Sequence, residues 1–472
     1  MGSTQPSSFN LKDAPLDGHR PMKVRVIGAG YSGIYLGIRI PQRLRNIDLR
    51  IYERNEGVGG TCYDFKNKRI GLIGNGSSAI QIVPKLQKIE GAQVHCFARS
   101  KTWITNPFGD TTMKRLGLDP TKMDFTPEQR QEFANNPEAL YKLRKAIETD
   151  GSTIHDMSIR DSAMQRMAVD LFKATMKERL VKKPEIAEFL IPSFGIGCRR
   201  NTPGPGYLEA LVEPNVEFIT DPIEELTETG LKLKTAGGGR EIPLDTLVCA
   251  TGFDASGAPP FPVHGRNGLP LSTRFDPHPE AYLSLAVDGF PNLFFMLGPN
   301  SAIGSGSLTV MLEVEGDYIV KCVRKLQKED YAAVEVRADR VADWRAYCGE
   351  YFKRTVYTDT CSSWYKSRGG DQQQQERITG LWPGSPLHAL EALRAPRWED
   401  YSWEPVDGAA GNRLRWLGNG WSVCHVPKKE GGGKEGEYEG DPSWYIEPMF
   451  QDIPLPEKPE EDPEFKARPF SH

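Results

Sequence analysis

Hydrophobic residues change their period several times along this chain, and each change predicts an element. Val24 to Ile27 form a short run whose Val and Ile content fits a buried parallel strand. The run enters Gly28-Ala29-Gly30-Tyr31-Ser32-Gly33 and then a stretch with helical spacing. A second strand, "IDLRIYE", ends at Glu53. The same design then repeats: a strand from Ile70 to Ile73, the turn Gly74-Asn75-Gly76-Ser77-Ser78-Ala79, a helix, and a strand from Val94 to Phe97. Residues 111–192 are charged and read as mostly helical, with Thr126 as an N-cap ahead of Glu128 and Gln129. Within them Met164, Met167, Val169, Leu171, Phe172 and Met176 make an imperfect helical stripe, read as core, with a substrate lid as the alternative. The stretch from Val216 to Phe253 alternates like strands, broken at Thr229-Gly230 and at Ala236 to Gly239, and predicts a meander. Beyond residue 404 Gly, Pro, Trp and charge dominate, and "KKEGGGKEGEYEGDP" reads as a flexible linker in a loosely wrapped tail.

The two glycine turns carry the chemistry. In the first, Gly28 permits a tight turn, Gly30 lets backbone approach a pyrophosphate, and Gly33 lets helix pack on strand. The unpaired N–H groups of the helix then face the phosphates. Glu53, twenty residues after Gly33, is placed to accept hydrogen bonds from ribose hydroxyls. In the second turn no acid ends the following strand; Arg99 and Ser100 stand there instead. A guanidinium suits the extra 2′-phosphate of NADP, which a carboxylate would repel. One turn with an acid and one with an arginine point to FAD plus NADPH, a pair that can reduce a flavin and present it to oxygen.

Composition narrows the setting. At 472 residues there is material for two or three domains, and a net charge of −4 offers no basic field for nucleic acid. No apolar run is long enough to span a membrane, and the polar N-terminal stretch lacks a signal core, so a cytoplasmic protein is expected. Eight cysteines lie singly, without zinc or redox spacing, as unpaired thiols in a reducing compartment would. His155, His264, His278 and His388 show no metal-like spacing, and no metal is expected.

Further stretches make a family resemblance specific. "NEGVGGT" (Asn55 to Thr61) looks like the glycine pair of flavin-containing monooxygenases, and "GIGCRRNTPGPGYLEAL" (Gly195 to Leu211) resembles the Baeyer–Villiger segment that carries paired basic residues. "LVCATGFD" (Leu247 to Asp254), "FPNLFFMLGPNSAIGSGSL" (Phe290 to Leu308), "CSSWYK" and Trp382 to Trp403 are similar to later parts of fungal-type members, in the same order. The resemblance covers most of residues 22–403. It implies an α/β fold of two dinucleotide-binding, Rossmann-like domains. The FAD domain would comprise 1–66 and 256–403, and the NADPH domain 67–110 and 193–255. A helical insertion would occupy 111–192, with an irregular tail over 404–472. It implies FAD contacts at Gly28, Gly30, Ser32, Gly33, Glu53, Gly60, Thr61 and Asp254. NADPH would meet Gly74, Gly76, Ser77, Ser78, Ala79, Arg99 and Arg199. Arg200 would be catalytic, stabilising the anionic oxygenated flavin and positioning the nicotinamide. The implied reaction inserts oxygen from O₂ into a small-molecule ketone of secondary metabolism to give an ester or lactone, with N- or S-oxygenation as the alternative.

One departure stands out. In the family the flavin domain continues after its glycine pair with a meander, a return strand and an HxxxWP fingerprint. Here only the fifteen residues 54–68 separate Glu53 from Arg69. Such a meander and return strand need about 20–24 residues in strands alone. The FAD domain is therefore truncated, with opened sheet edges and exposed apolar surface expected. Three readings stay open: weak FAD binding through the surviving turn, a flavin-free protein of non-redox or binding function, or a skipped exon.

Overall fold

A computed structural model describes residues 11–53, 65–106, 110–115, 117–119, 125–235, 239–252, 257–367, 376–406, 412, 414–425, 442–443 and 446. They fall into two compact units. The larger runs over Lys23–Arg324 and Ala333–Glu404, and the smaller gathers Lys325–Ala332 with the chain's two terminal stretches.

The first glycine turn lies in a thin layer of the larger unit. Strand β1 (Met22–Ile27), helix α1 (Tyr31–Arg43) and strand β2 (Ile47–Tyr52) follow each other, and β1 pairs with β2 in a two-stranded sheet. Helix α1 buries Gly33, Leu36 and Ile40. Leu36, Ile40 and Leu44 cluster with Val320, and Val24, Val26, Ile47 and Leu49 close over them. The other side is bare: Ile27 is 70% exposed, Tyr31 78% and Ile38 56%.

The second turn is set in a complete sheet. Strands β3 (Arg69–Ile73) and β4 (Gln93–Phe97) flank helix α2 (Ser77–Leu86). Strand β5 (Ile104–Thr105) leads into helices α3 (Asp110–Arg115), α4 (Pro127–Asn135), α5 (Pro137–Thr153), α6 (Ala163–Arg179) and α7 (Pro184–Leu190). Thr126 caps α4 as expected, in a reciprocal capping box with Gln129. The methionine stripe divides: Met176 is fully buried, whereas Met167 and Leu171 face outward on α6.

Strand β6 (Thr202–Pro203), helix α8 (Tyr207–Val212) and strands β7 (Val216–Ile219), β8 (Ile223–Thr227), β9 (Gly230–Leu233), β10 (Arg240–Pro243) and β11 (Thr246–Cys249) complete this half. The order β11-β3-β4-β7 is parallel throughout, with Ile70 opposite Thr246 on one side and Val94 on the other. Strands β8, β9 and β10 form the expected antiparallel meander. Both faces of the parallel sheet are covered, so Ile70, Leu72, Ile80 and Val83 are buried to 2% exposure or less. Each such side chain contributes about 1.5–3 kcal/mol of transfer free energy.

Helices α9 (Leu271–Arg274), α10 (Leu308–Lys328), α11 (Ala338–Phe352) and α12 (Pro386–Leu393) follow, with strands β12 (Tyr331–Val336), β13 (Lys366–Ser367), β14 (Arg377–Ile378) and β15 (Tyr401–Pro405). The described residues of 256–400 do not extend the β1–β2 sheet. Among the described residues β12 pairs with β15 and β13 with β14, and none joins β1 or β2. The Phe290–Leu308 backbone is engaged elsewhere: Phe295 N–H donates to Leu285, Asn300 N–H to Thr379 and Ala302 N–H to Gly380. What this region supplies to the first turn is packing, through Val320 and Val323 of α10 and Met296.

In the smaller unit Asp330 receives Lys12 at 2.7 Å, with Arg415 at 3.7 Å, and Leu16 pairs with Ser422. Among the described residues no helix is long and apolar enough to cross a membrane, and no acid, histidine or cysteine cluster could hold a metal.

Candidate nucleotide sites and the basic loop

At the first turn, Gly28 has φ 101° and its N–H donates to Tyr52 O at 2.7 Å. A Cβ on Gly33 would stand 2.0 Å from the Gly28 carbonyl oxygen, so helix and strand meet here only through glycine. Gly30 precedes α1 and has nothing within 4 Å of where a Cβ would sit, leaving its backbone open to a ligand. Ser32 lies in the first turn of α1. Glu53 is exposed at the end of β2, and its carboxylate accepts the Ala29 N–H at 2.9 Å. The acid is thus already anchored to the turn it serves. Gly60, Thr61 and Asp254 lie outside the described residues.

The second turn is more tightly built. Gly74 has φ 119°, and a Cβ there would be 2.4 Å from the Ala250 carbonyl, where β11 passes. The Asn75 amide donates to Ser100 O, and Ser100 Oγ returns a bond to Asn75 Oδ1 at 3.2 Å. Ser77 Oγ lies 2.5 Å from Thr202 Oγ1. Ser78 is exposed in the first turn of α2, while Ala79 is buried against the sheet in the place Gly33 takes at the first turn.

Across this turn lies the loop from Gly195 to Thr202. Arg199 is half-buried, and its guanidinium donates to Ser100 Oγ at 3.0 Å and Lys101 O at 2.7 Å. Its Nη2 is 4.0 Å from the position of a Gly76 Cβ. Burial, and then the charge of neighbouring Arg99, push Arg199 below its ordinary pKa. Arg99 itself is exposed at the end of β4. Arg200 is exposed, close enough to the buried Tyr365 for its charge to be felt there. Among the described residues none of these three arginines has a carboxylate partner. Two adjacent cations, one largely desolvated and neither neutralised, make a site for an anion. A cavity of about 610 Å³ is lined by Gln93, Val94, His95, Lys183, Phe189 and Glu217, none of which belongs to either turn.

The cysteines correct the reading of eight unpaired thiols. Cys198 and Cys361, 163 residues apart, form a disulfide with Cα atoms 6.4 Å apart. A sequence separation that large carries no spacing signal. Cys96, Cys249, Cys322, Cys348 and Cys424 are free. Sequence reasoning passed over Asn75, whose partner Ser100 is set by the fold; Ser77 was expected at the cofactor, but its contact with Thr202 was not. Glu315 was missed as well: it is a fully buried acid on α10 that accepts the Leu297 N–H at 2.8 Å. Leu308 to Val320 holds three acids, Glu313, Glu315 and Asp317, and nothing in the sequence marks Glu315 as the buried one.

Residues 26–85, which hold both turns, match the model of an NAD(P)-binding Rossmann-like domain. The FAD-binding monooxygenase tazF of Aspergillus terreus is 34% identical over 385 residues, 81% of this chain and 64% of that protein. This chain is a homologue of the FAD-binding monooxygenases. A Baeyer–Villiger monooxygenase of Pseudomonas aeruginosa is 29% identical over 333 residues, covering 68% of this chain and 57% of its own length. Among solved structures, an oxidized steroid monooxygenase bound to NADP superposes with a TM-score of 0.54 at 25% identity, covering 73% of this chain and 68% of that one. The α/β, Rossmann-like fold expected from the sequence is therefore the fold of these monooxygenases. The chain thus spans less than two thirds of the length of either of these two relatives.

Proposed function

We propose that this chain is an FAD- and NADPH-dependent monooxygenase that inserts one oxygen atom of O₂ into a small-molecule ketone, a Baeyer–Villiger oxidation. The observation that carries the reading is the pair Arg99 and Arg199 beside the Gly74–Ser77 turn, cationic and, among the described residues, without a carboxylate partner. An NADP 2′-phosphate supplies the missing negative charge, and the open backbone at Gly76 admits the pyrophosphate. Gly74, Ser77, Ser78 and Ala79 complete that contact surface, and the surrounding parallel sheet serves as the NADPH domain.

FAD fits the first turn through its pyrophosphate half. Gly28 and Gly33 set the turn, Gly30 leaves room, Ser32 and the first N–H groups of α1 face the phosphates, and Glu53 takes the ribose. When bound, the flavin accepts hydride from NADPH and activates O₂. Arg200, exposed and without an acidic partner among the described residues, holds negative charge at the reacting centre and orients the nicotinamide. A secondary-metabolite ketone is the substrate class that the resemblance to fungal-type members of the family implies.

A second reading has its own support. The bare apolar side of β1 and α1 and the shortness of 54–68 favour a flavin-free protein that keeps only the NADP site. Protein reconstituted with FAD and supplied with NADPH, isotopically labelled O₂ and a panel of ketones separates the two. Labelled ester or lactone supports the monooxygenase; NADP binding without flavin uptake supports the rival. Arg200→Ala is expected to abolish product while sparing flavin content, and persisting product would remove its catalytic role.

A further inference from the structure

The disulfide joins the residue before the basic pair to a segment 163 positions away. Its surroundings form one anchor. Asp359, two residues before Cys361, accepts the Gly195 N–H at 2.7 Å and is held by Arg160 at 2.5 Å. Gln165 brackets Ile196, donating to its carbonyl at 2.8 Å and accepting its N–H at 3.1 Å. A Cβ on Gly195 would stand 2.7 Å from Val356 Cγ1, so the loop lies hard against the Val356–Asp359 turn. Past Cys198 such contacts thin out. Arg199 reaches Ser100 and Lys101, Arg200 is exposed, and the next fixed point is Thr202, paired with Ile104 and touching Ser77. The basic pair therefore hangs between two anchors, and the nearer anchor is covalent.

We propose that Cys198–Cys361 is a thiol-exchange site that positions Arg199 and Arg200, an inference that rests on the NADP reading of Arg199. Cys198 is fully buried, whereas Cys361 keeps 9% of its surface. A thiolate of the glutathione class attacks the Cys361 sulfur, and Cys198 departs as a thiolate and takes a proton. A second thiol attacks the mixed disulfide. In total two small thiols are oxidised to one disulfide while the protein gains two electrons and two protons. Glutathione disulfide drives the reverse exchange. After reduction the Asp359 and Gln165 bonds still hold Gly195 and Ile196, so the fold persists. Arg199 loses the covalent tether at its own neighbour, and the cofactor that needs its guanidinium is held less well.

The test uses full-length protein purified without reductant. Alkylation followed by peptide mass analysis should find Cys198 and Cys361 linked and unlabelled; labelling of both in the folded protein would overturn the proposal. Titration calorimetry should then show NADP⁺ affinity falling about tenfold, within the usual range of coupling between sites, when a dithiol is added and recovering with glutathione disulfide. NAD⁺, which lacks the 2′-phosphate, should bind equally in both states. Cys198→Ser and Cys361→Ser should each bind NADP⁺ as the reduced wild type does, and the double variant should be no weaker and insensitive to thiols. Unchanged NADP⁺ affinity on reduction, or equal losses for NADP⁺ and NAD⁺, would overturn the positioning role. Binding is read without turnover, so failure of the monooxygenase reading leaves this result interpretable.

Discussion

The two glycine turns use the same local device in opposite surroundings. Around the second, β3 is flanked by parallel strands on both sides, and Leu72 and Ile70 are wholly buried. Around the first, β1 has one partner among the described residues, and Ile27, Tyr31, Ile38 and Tyr52 are each more than half exposed. The turns are almost equally well made, since each needs a glycine at positive φ and a close backbone approach. What differs is the wall behind them. A glycine motif specifies a turn through a few dihedral angles, whereas a wall needs strands, and residues 54–68 are too few to provide them.

Substitutions on the two sides should separate the regions most sharply. Leu72→Ala removes a fully buried side chain and should cost about 2–5 kcal/mol in urea unfolding. A loss below about 1 kcal/mol would mean that the second sheet is not the stable part of the molecule.

Glu315 probes the helix that backs the first turn. Burial pushes its carboxyl up to about 8, against an ordinary 4.5. The folded state therefore binds this proton more tightly than the unfolded chain does. Its contribution is complete at and below pH 4.5 and is lost as pH rises through about 8. Glu315→Gln should flatten the decline of the urea midpoint across that window, and an unaltered pH profile would show the carboxyl to be solvated.

Cofactor discrimination tests the second turn directly. Arg199→Ala, which removes charge-assisted hydrogen bonds worth about 1.5–3 kcal/mol, should raise KM for NADPH roughly 10–100-fold and leave KM for NADH nearly unchanged. The exposed Arg99 should matter less, with a rise of about tenfold or below for Arg99→Ala. Equal effects on both cofactors would argue against a phosphate contact. The smallest effect belongs to the bare face. Ile38→Ala, on the exposed side of α1, should change stability by no more than about 0.5 kcal/mol. A loss of several times that would mean the face is covered in solution.

Much of this was legible in the chain because it is local. The apolar run Ile70–Ile73, the glycines at 74 and 76 and the Thr126 cap each depend on neighbours within a few residues, and each forms where the pattern placed it. The spacing of Glu53 from Gly33 likewise put an acid beside the first turn. The remainder depends on distant partners. Nothing near Cys198 announces Cys361, and nothing near Ser77 announces Thr202. Phe290 to Leu308 has a strand-like composition, yet its backbone bonds to Leu285, Thr379 and Gly380 instead of to β1. A β-forming sequence becomes a strand only where an edge is presented to it.

The decisive measurement is an anaerobic titration of FAD-reconstituted protein with NADPH, followed in the flavin absorption bands. The account predicts stoichiometric flavin uptake at the first turn, bleaching by NADPH far faster than by NADH, and return of colour with O₂ uptake when air is admitted. Protein that takes up no flavin while binding NADP⁺ tightly would contradict it, leaving one working nucleotide site where two are claimed.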